Sequence, residues 1–421
     1  MNAKGYTWKL SVQTSDMPVS LIQNQPKENL LLPKMIQVPN GIKSFSFTVG
    51  DTSTKVDTSA SNDEGTQEPS QRSICQTPDG YLHMTWRDAG FDVWYGYNPE
   101  PDGSGSWTTW QIFPSTYYSC GIVCSDIQTN SYYNLTIYCD DSNTVKMFVS
   151  DDQYNSSDAY TWTHGTSANN NYAAIDSQGF KHHVNAYVSL YTLSTENYTQ
   201  YTVHDDSNND SDDSMIEVGT DDTVWIAGVG TDKDALDIWH SSKGYGTENR
   251  IRVLDAGSFV APDNVDIAVR RINGIDQIWT CTVFGSDLWV CNSTENNYET
   301  EWDCTDVPTS LSPEYCDIGV LSDGRVEVVW PDTVNDKGWR SNSTNGVDWD
   351  EQQIEAGDFL NGGILDANWP ASSRMDATDG YVRYVYSNNT DVWFGTYDII
   401  SGEVEDTPTP VSYTHLTLPT N

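Results

Sequence analysis

Apolar and polar positions alternate in short runs along this chain, and the runs recur about every 50 residues. Each copy reads as a turn of the Asp-Gly type, a strand carrying an aromatic, and a further strand centred on Trp or another aromatic. The first-strand aromatics are Trp86, Tyr138, Tyr187, Trp225, Trp279, Trp330 and Tyr384. Those of the next strand are Trp94, Phe148, Tyr191, Trp239, Trp289, Trp339 and Trp393. Turn signals precede six of the seven copies, at Asp79-Gly80, Gly179, Asp221-Asp222, Asn273-Gly274, Asp323-Gly324 and Asp379-Gly380; the second copy, near Asn130, has no clear one. Strand alternation at this period predicts units of four short strands. The expected fold is all-β, a seven-bladed β-propeller with a β-rich N-terminal extension. The repeating aromatics are expected to pack between neighbouring blades.

Three segments follow from the pattern. Residues 1–70 form the N-terminal extension, with strand-like runs at Tyr6–Gln13 and Ser44–Val49 and a polar stretch, Asp51–Ser70, read as a linker. Residues 71–410 form the propeller. Residues 411–421, which include VSYTHLTLPT, continue no blade and resemble translated sequencing-adapter read-through, so they are expected to be non-native.

Charge narrows the partners. The chain carries 61 acidic against 21 basic residues, a net −40. Phosphates would be repelled rather than neutralised, which disfavours nucleic acid and anionic membrane surfaces. The excess fits either a surface adapted to high salt or a set of divalent-cation sites. No apolar run is long enough to span a membrane, so membrane insertion is not expected. Met1–Leu10 lacks the apolar core of a secretory signal peptide. Seven Asn-x-Ser/Thr sequons fit an exposed, extracellular, virion or cell-surface protein. Of eight cysteines, Cys281 with Cys291 and Cys304 with Cys316 are candidate disulfides, with reduced core thiols as the alternative. In the first pair the cysteines flank a turn read as Gly285-Ser286-Asp287 and would face each other.

The run Gly346 to Trp349 has the Gly and Trp spacing of an Asp box, with Thr344 at the Asp position and Asn342 at the Ser position. Weaker hairpins occur at Asp102–Trp107 and Asn292–Trp302, and strand starts of the same style at Asp79–His83 and Asp176–His183. The repeat therefore resembles the sialidase-like (BNR, or Asp-box) propeller superfamily in degenerate form. The resemblance implies glycan recognition, with a hydrolase or lyase or a non-catalytic adhesin as the forms it takes. Sialidases use three arginines, and Arg87, Arg271, Arg340, Arg374 and Arg383 offer no spacing that singles out three. Polysaccharide lyases on related propellers use a His with Tyr or Arg, which His182 or His183 with Tyr187 would supply. Adjacent strand residues point to opposite faces, so only one of the two histidines can face a channel.

Propeller sites form at one channel mouth. There the loop after the second strand of the first blade presents Arg87 and Asp88. The inner strands of the later blades carry Asp266, Asp317 and Asp366 near their starts. Carboxylates converging from neighbouring blades would serve glycosidic chemistry, bind a cation or bond backbone groups. Asp206, Asn208, Asp210 and Asp212 alternate in the densest acidic run, a candidate Ca²⁺ loop without the Gly or closing Glu of an EF-hand. The expected partner is a glycan or glycoprotein surface, with residues 1–70 available to join a larger assembly.

Overall fold

The computed structural model describes most of residues 74–355 apart from connecting loops, together with strands at 9–10, 47–48, 54–57, 365–366, 381–388 and 391–398. Among these residues there are seven four-stranded antiparallel sheets and one two-stranded pair, Lys9–Leu10 with Phe47–Thr48. The first sheet runs Ile74–Gln76, Leu82–Arg87, Val93–Asn98 and Thr108–Phe113 in chain order. The fifth runs Pro262–Ile272, Ile275–Phe284, Asp287–Ser293 and Asp303–Val307, and the sixth Asp317–Val320, Val326–Asp332, Lys337–Ser343 and Asp350–Glu355. Six of the seven four-stranded sheets are thus meanders, which short turns permit between antiparallel neighbours.

The last sheet departs from the meander. It comprises Leu365–Asp366, Tyr381–Asn388 and Asp391–Asp398, and its fourth strand is Thr54–Asp57, antiparallel to Asp391–Asp398. The polar stretch expected to be a linker therefore supplies a strand. From it the chain passes to the first strand of the first sheet, just as the outer strand of each earlier sheet leads to the next inner strand.

Successive sheets pack face to face, and the core lies between them. Ile216, Ile226 and Ile238 of the fourth sheet meet Val265, Ile267 and Ile278 of the fifth in one cluster. Ala268, Cys281 and Val290 of the fifth meet Ile318, Val328 and Trp330 of the sixth in another. Trp86, Trp225, Trp239 and Trp330 are fully buried, as the repeat predicts. Burying such rings contributes a large share of the apolar area removed from water.

All eight cysteines are paired: Cys75–Cys124, Cys120–Cys139, Cys281–Cys316 and Cys291–Cys304. The expected pairs are corrected by one residue of turn length. Phe284 is opposite Asp287, so the hairpin loop is Gly285-Ser286 alone. That register sets Cys281 against Val290 and Cys291 against Thr280, which sends the two thiols to opposite faces. Cys291 then meets Cys304 directly across the sheet, with Cα atoms 4.0 Å apart. Cys281 instead reaches Cys316 at the start of the sixth sheet. Cys75–Cys124 joins the first and second sheets in the same manner, and Cys120–Cys139 is again a cross-strand pair.

Candidate functional site

Each sheet has two distinct ends. At the turn end, the inner strand leads through the Asp-Gly turn into the second strand. At the loop end, the inner strand begins and the second strand finishes. Arg87, Asp88 and Asp317 fall at the loop end, and Asp266 lies a few residues inside it.

One of these residues is tied to the strand that carries another. Side chains at alternate positions of the inner strand of sheet five reach across to the backbone of sheet six. Asn264 Oδ1 accepts the Cys316 N–H at 3.0 Å, and Asp266 Oδ2 accepts the Ile318 N–H at 2.8 Å. Asp266 is thereby held beside the segment that begins with Asp317. Both carboxylates are buried, at 2% and 4% exposure. The other carboxylate oxygen of Asp266, Oδ1, is buried without a hydrogen-bond partner. Carboxylates on neighbouring inner strands can accept hydroxyl donors or attract a cation.

The remaining candidates are placed separately. Arg87 ends the second strand of sheet one and is 5% exposed. Asp88 turns back on its own hairpin. Its Oδ1 accepts the Gly90 and Asp92 N–H groups at 2.8 and 2.9 Å, and its Oδ2 accepts Trp94 Nε1–H at 2.9 Å. His183 is fully buried in sheet three, opposite Ala173 and Tyr191. Tyr187, Asp206, Asn208, Asp210 and Asp212 lie outside the described residues. Among the described residues no group of three or more His, Cys, Asp or Glu side chains gathers to hold a metal. Arg340 is committed to a buried ion pair with Glu327.

A slot that the sequence reading did not isolate lies three residues after the left-handed turn position, and in sheets one, three and six it holds a polar side chain. In sheet one His83 is fully buried between Thr77 Oγ1, 3.1 Å from Nε2, and Tyr95 Oη, 2.7 Å from Nδ1. Burial lowers its pKa from 6.5 to about 3, so it is neutral, one nitrogen donating and the other accepting. In sheet three His182 occupies the same slot, with Nε2 3.0 Å from Asp176 Oδ2. Burial pushes the Asp176 carboxyl up, but hydrogen bonds from His182 and from the Phe180 and Gln178 amides outweigh it and hold it below the usual value. In sheet six the slot holds Glu327, whose carboxyl is raised by burial against the opposing pull of Arg340. The sequence signal for this slot is a polar residue three places after the turn glycine.

The Asp-box-like hairpin is built around a different residue from the one expected. Asn345 Oδ1 accepts the Val347 and Asp348 N–H groups, both at 2.9 Å, and Ser343 Oγ accepts the Gly346 N–H at 2.8 Å. Thr344 does not carry the hub.

No protein-family model matches the chain, and no curated protein matches it. Solved structures do. YCF48 bound to D1 peptide shares 10% identity over 83% of this chain and 95% of that one, with a TM-score of 0.52. YCF48 from Cyanidioschyzon merolae shares 8% over 82% and 98%, with a TM-score of 0.51. The polysaccharide lyase Uly1 shares 9% over 83% and 99%, with a TM-score of 0.47. At such identities likeness concerns the fold alone. Taken with the succession of seven four-stranded sheets among the described residues, the likeness to the two YCF48 structures defines the chain as a β-propeller.

Proposed function

We propose that this β-propeller closes as a ring of seven blades and recognises glycans at the loop end of its inner strands. Ring closure is supported by Thr54–Asp57, which completes the last sheet with a strand from the N-terminal side. The observation that carries the functional reading is the juxtaposition of Asp266 with the Asp317 segment on neighbouring inner strands, at the end of the sheets where Arg87 also lies. Carboxylates held by backbone donors are acceptors for sugar hydroxyls, and Arg87 adds a donor set for an acidic substituent. The Gly346 and Trp349 spacing supports descent from Asp-box repeats, with the hub moved one place along the chain to Ser343 and Asn345.

Binding without cleavage is favoured over hydrolysis. Asp88 has both carboxylate oxygens engaged within its own loop, and Asp266 uses one oxygen to latch sheet five to sheet six. Four disulfides favour an oxidising compartment outside the cytosol, and the net charge of −40 favours a saline one. The test is retention on immobilised acidic and neutral polysaccharides in molar salt, with reducing ends and unsaturated uronates monitored. Retention that weakens in Asp317→Asn, without product, is the expected result. Product formation would overturn the non-catalytic reading, and absence of retention on every polysaccharide would overturn glycan recognition.

A further inference from the structure

Solvent reaches the four disulfides unequally. Seven of the eight half-cystines are buried, and Cys304 alone is half-buried. Cys304 lies on Asp303–Val307, the outer strand of sheet five, which has a strand neighbour within its sheet on one edge only. Its partner Cys291 is fully enclosed on the strand beside it. Cys304 Sγ rests 3.7 Å from the Val253 carbonyl oxygen, on the outer strand of sheet four. The other three disulfides are enclosed at both ends. Cys75, Cys120, Cys124 and Cys139 belong to the core cluster between sheets one and two, and Cys281 and Cys316 to the one between sheets five and six. Cys291–Cys304 also closes the shortest loop, with a sequence separation of 13 against 19, 35 and 49. Opening it therefore enlarges the unfolded ensemble least. Four further cross-strand pairs, from Leu288 with Val307 to Asn292 with Asp303, hold the outer strand in place without it.

We infer that Cys291–Cys304 is the thiol–disulfide exchange site of this protein, opened at the Cys304 sulfur by an uncharged or cationic thiol while the other three disulfides stay closed. A thiolate attacks Cys304 Sγ on the side away from Cys291, and the new S–S bond forms as the Cys304–Cys291 bond breaks. Cys291 leaves as a thiolate and takes a proton. A second thiol then attacks the sulfur of the bound reagent, which releases Cys304 as a thiol and closes the reagent's own disulfide. Two electrons pass from two reagent thiols to the cystine, and the two protons end on Cys291 and Cys304. Because Cys291 is enclosed, a reagent meets the Cys304 sulfur first. Charge sets which thiol is accepted. Glu301, Asp303 and Asp306 are exposed on and beside the outer strand, and Asp287 is exposed at the hairpin. The two strands that carry the cystine include no Lys or Arg. Burial and the Asp287 charge raise the Asp306 carboxyl, so negative potential accumulates here. A thiolate with a second negative charge is repelled, and one balanced by an ammonium is not.

Differential alkylation with peptide mapping, on the folded full chain under limiting dithiothreitol, tests the assignment. Cys291 and Cys304 should take up label about tenfold or more faster than any other cysteine, with the circular dichroism of the sheets unchanged. Cysteamine should be trapped as a mixed disulfide on Cys304. Per thiolate, it should react about threefold or more faster than mercaptoethanesulfonate. In concentrated urea the four disulfides should open at similar rates, because burial no longer separates them. Earlier labelling of another pair, loss of all four together, or an adduct on Cys291 would overturn the assignment. A preference that persists in urea would place the selectivity in local sequence rather than in burial and would overturn it as well. Equal rates for the two charged thiols would overturn the charge selection.

Discussion

Acidification should unfold this protein through His83, and the size of the effect can be worked from its surroundings. The imidazole is fully buried, and its two nitrogens face Thr77 Oγ1 and Tyr95 Oη. Protonation would make both nitrogens donors and place a charge in an apolar sheet interface. The folded pKa is therefore depressed to about 3 against 6.5 for the unfolded chain. Between those values the unfolded state binds the extra proton, so stability falls as pH falls, by about 1.4 kcal/mol per unit. From pH 7 to pH 5 the loss is about 2 kcal/mol, and it levels off near 5 kcal/mol below pH 3. Urea unfolding at fixed molar salt should be compared for the parent and His83→Gln, which keeps a donor and an acceptor without titrating near neutrality. The remaining groups titrate alike in both proteins and cancel in the difference. The parent should lose about 2 kcal/mol more than the variant over that window. Parallel pH profiles, within about 0.5 kcal/mol, would show that His83 is not held neutral by burial.

Further expectations concern the inter-sheet devices. Arg340→Met should cost about 3–5 kcal/mol because it strands the buried Glu327 carboxylate, and adding Glu327→Leu should restore most of it; equal stability of parent and single variant by urea unfolding would refute the pairing. Replacing Cys75 and Cys124 together by Ser opens a loop of sequence separation 49 and should cost about 4 kcal/mol, against about 3 kcal/mol for Cys291 and Cys304 at separation 13. The opposite order in denaturant titrations of the two double variants would refute the chain-entropy reasoning. Asp222 has φ of 64° and accepts both the backbone N–H and the hydroxyl of Ser177, at 2.8 and 2.7 Å. Asp222→Ala should therefore lower the melting temperature more than Asp222→Gly, which loses the same bonds but relaxes the left-handed backbone by about 1 kcal/mol; equal melting would remove that argument.

The sheets were legible in the sequence because each strand has a buried face and each turn a residue of special conformation. Gly80, Gly179, Asp222 and Gly324 all have positive φ, and these are the turns that punctuate the pattern. The strand Thr54–Asp57 was not legible. It is four residues long, polar and far from its partner in sequence, so neither alternation nor a turn marks it. The cystine pairing failed for a smaller reason: reading Gly285-Ser286-Asp287 as the loop, rather than Gly285-Ser286, moves every cross-strand partner by one. Asp266 was read as one of several carboxylates near inner-strand starts, with bonding to backbone groups among the alternatives, and it bonds the Ile318 amide. That one oxygen would be used to join two sheets depends on inter-sheet spacing, which period-two patterning does not encode.

The turn ends show why a repeat this degenerate still packs. In sheets one, three and four the turn closes with the same pair of backbone hydrogen bonds, Thr77 with Tyr81 and Gly80, Asp176 with Phe180 and Gly179, and Gly219 with Thr223 and Asp222. The backbone therefore brings the residue three before the left-handed position close to the residue three after it. In sheet one that pair is Thr77 and His83, joined by a hydrogen bond. In sheet three it is Asp176 and His182, joined by a hydrogen bond. In sheet four it is Gly219 and Trp225, where a Cβ on the glycine would sit 3.4 Å from the indole nitrogen. One slot thus holds a hydroxyl with an imidazole, a carboxylate with an imidazole, or no side chain with an indole. In sheets one and three the two members are hydrogen-bonded to each other, and in sheet four the glycine leaves room for the indole, while the backbone of the turn is the same in all three. A residue type seen at this slot in one sheet consequently says little about ligands. The chemistry that can meet a ligand has to be sought where sheets differ, as at the loop end of sheets five and six.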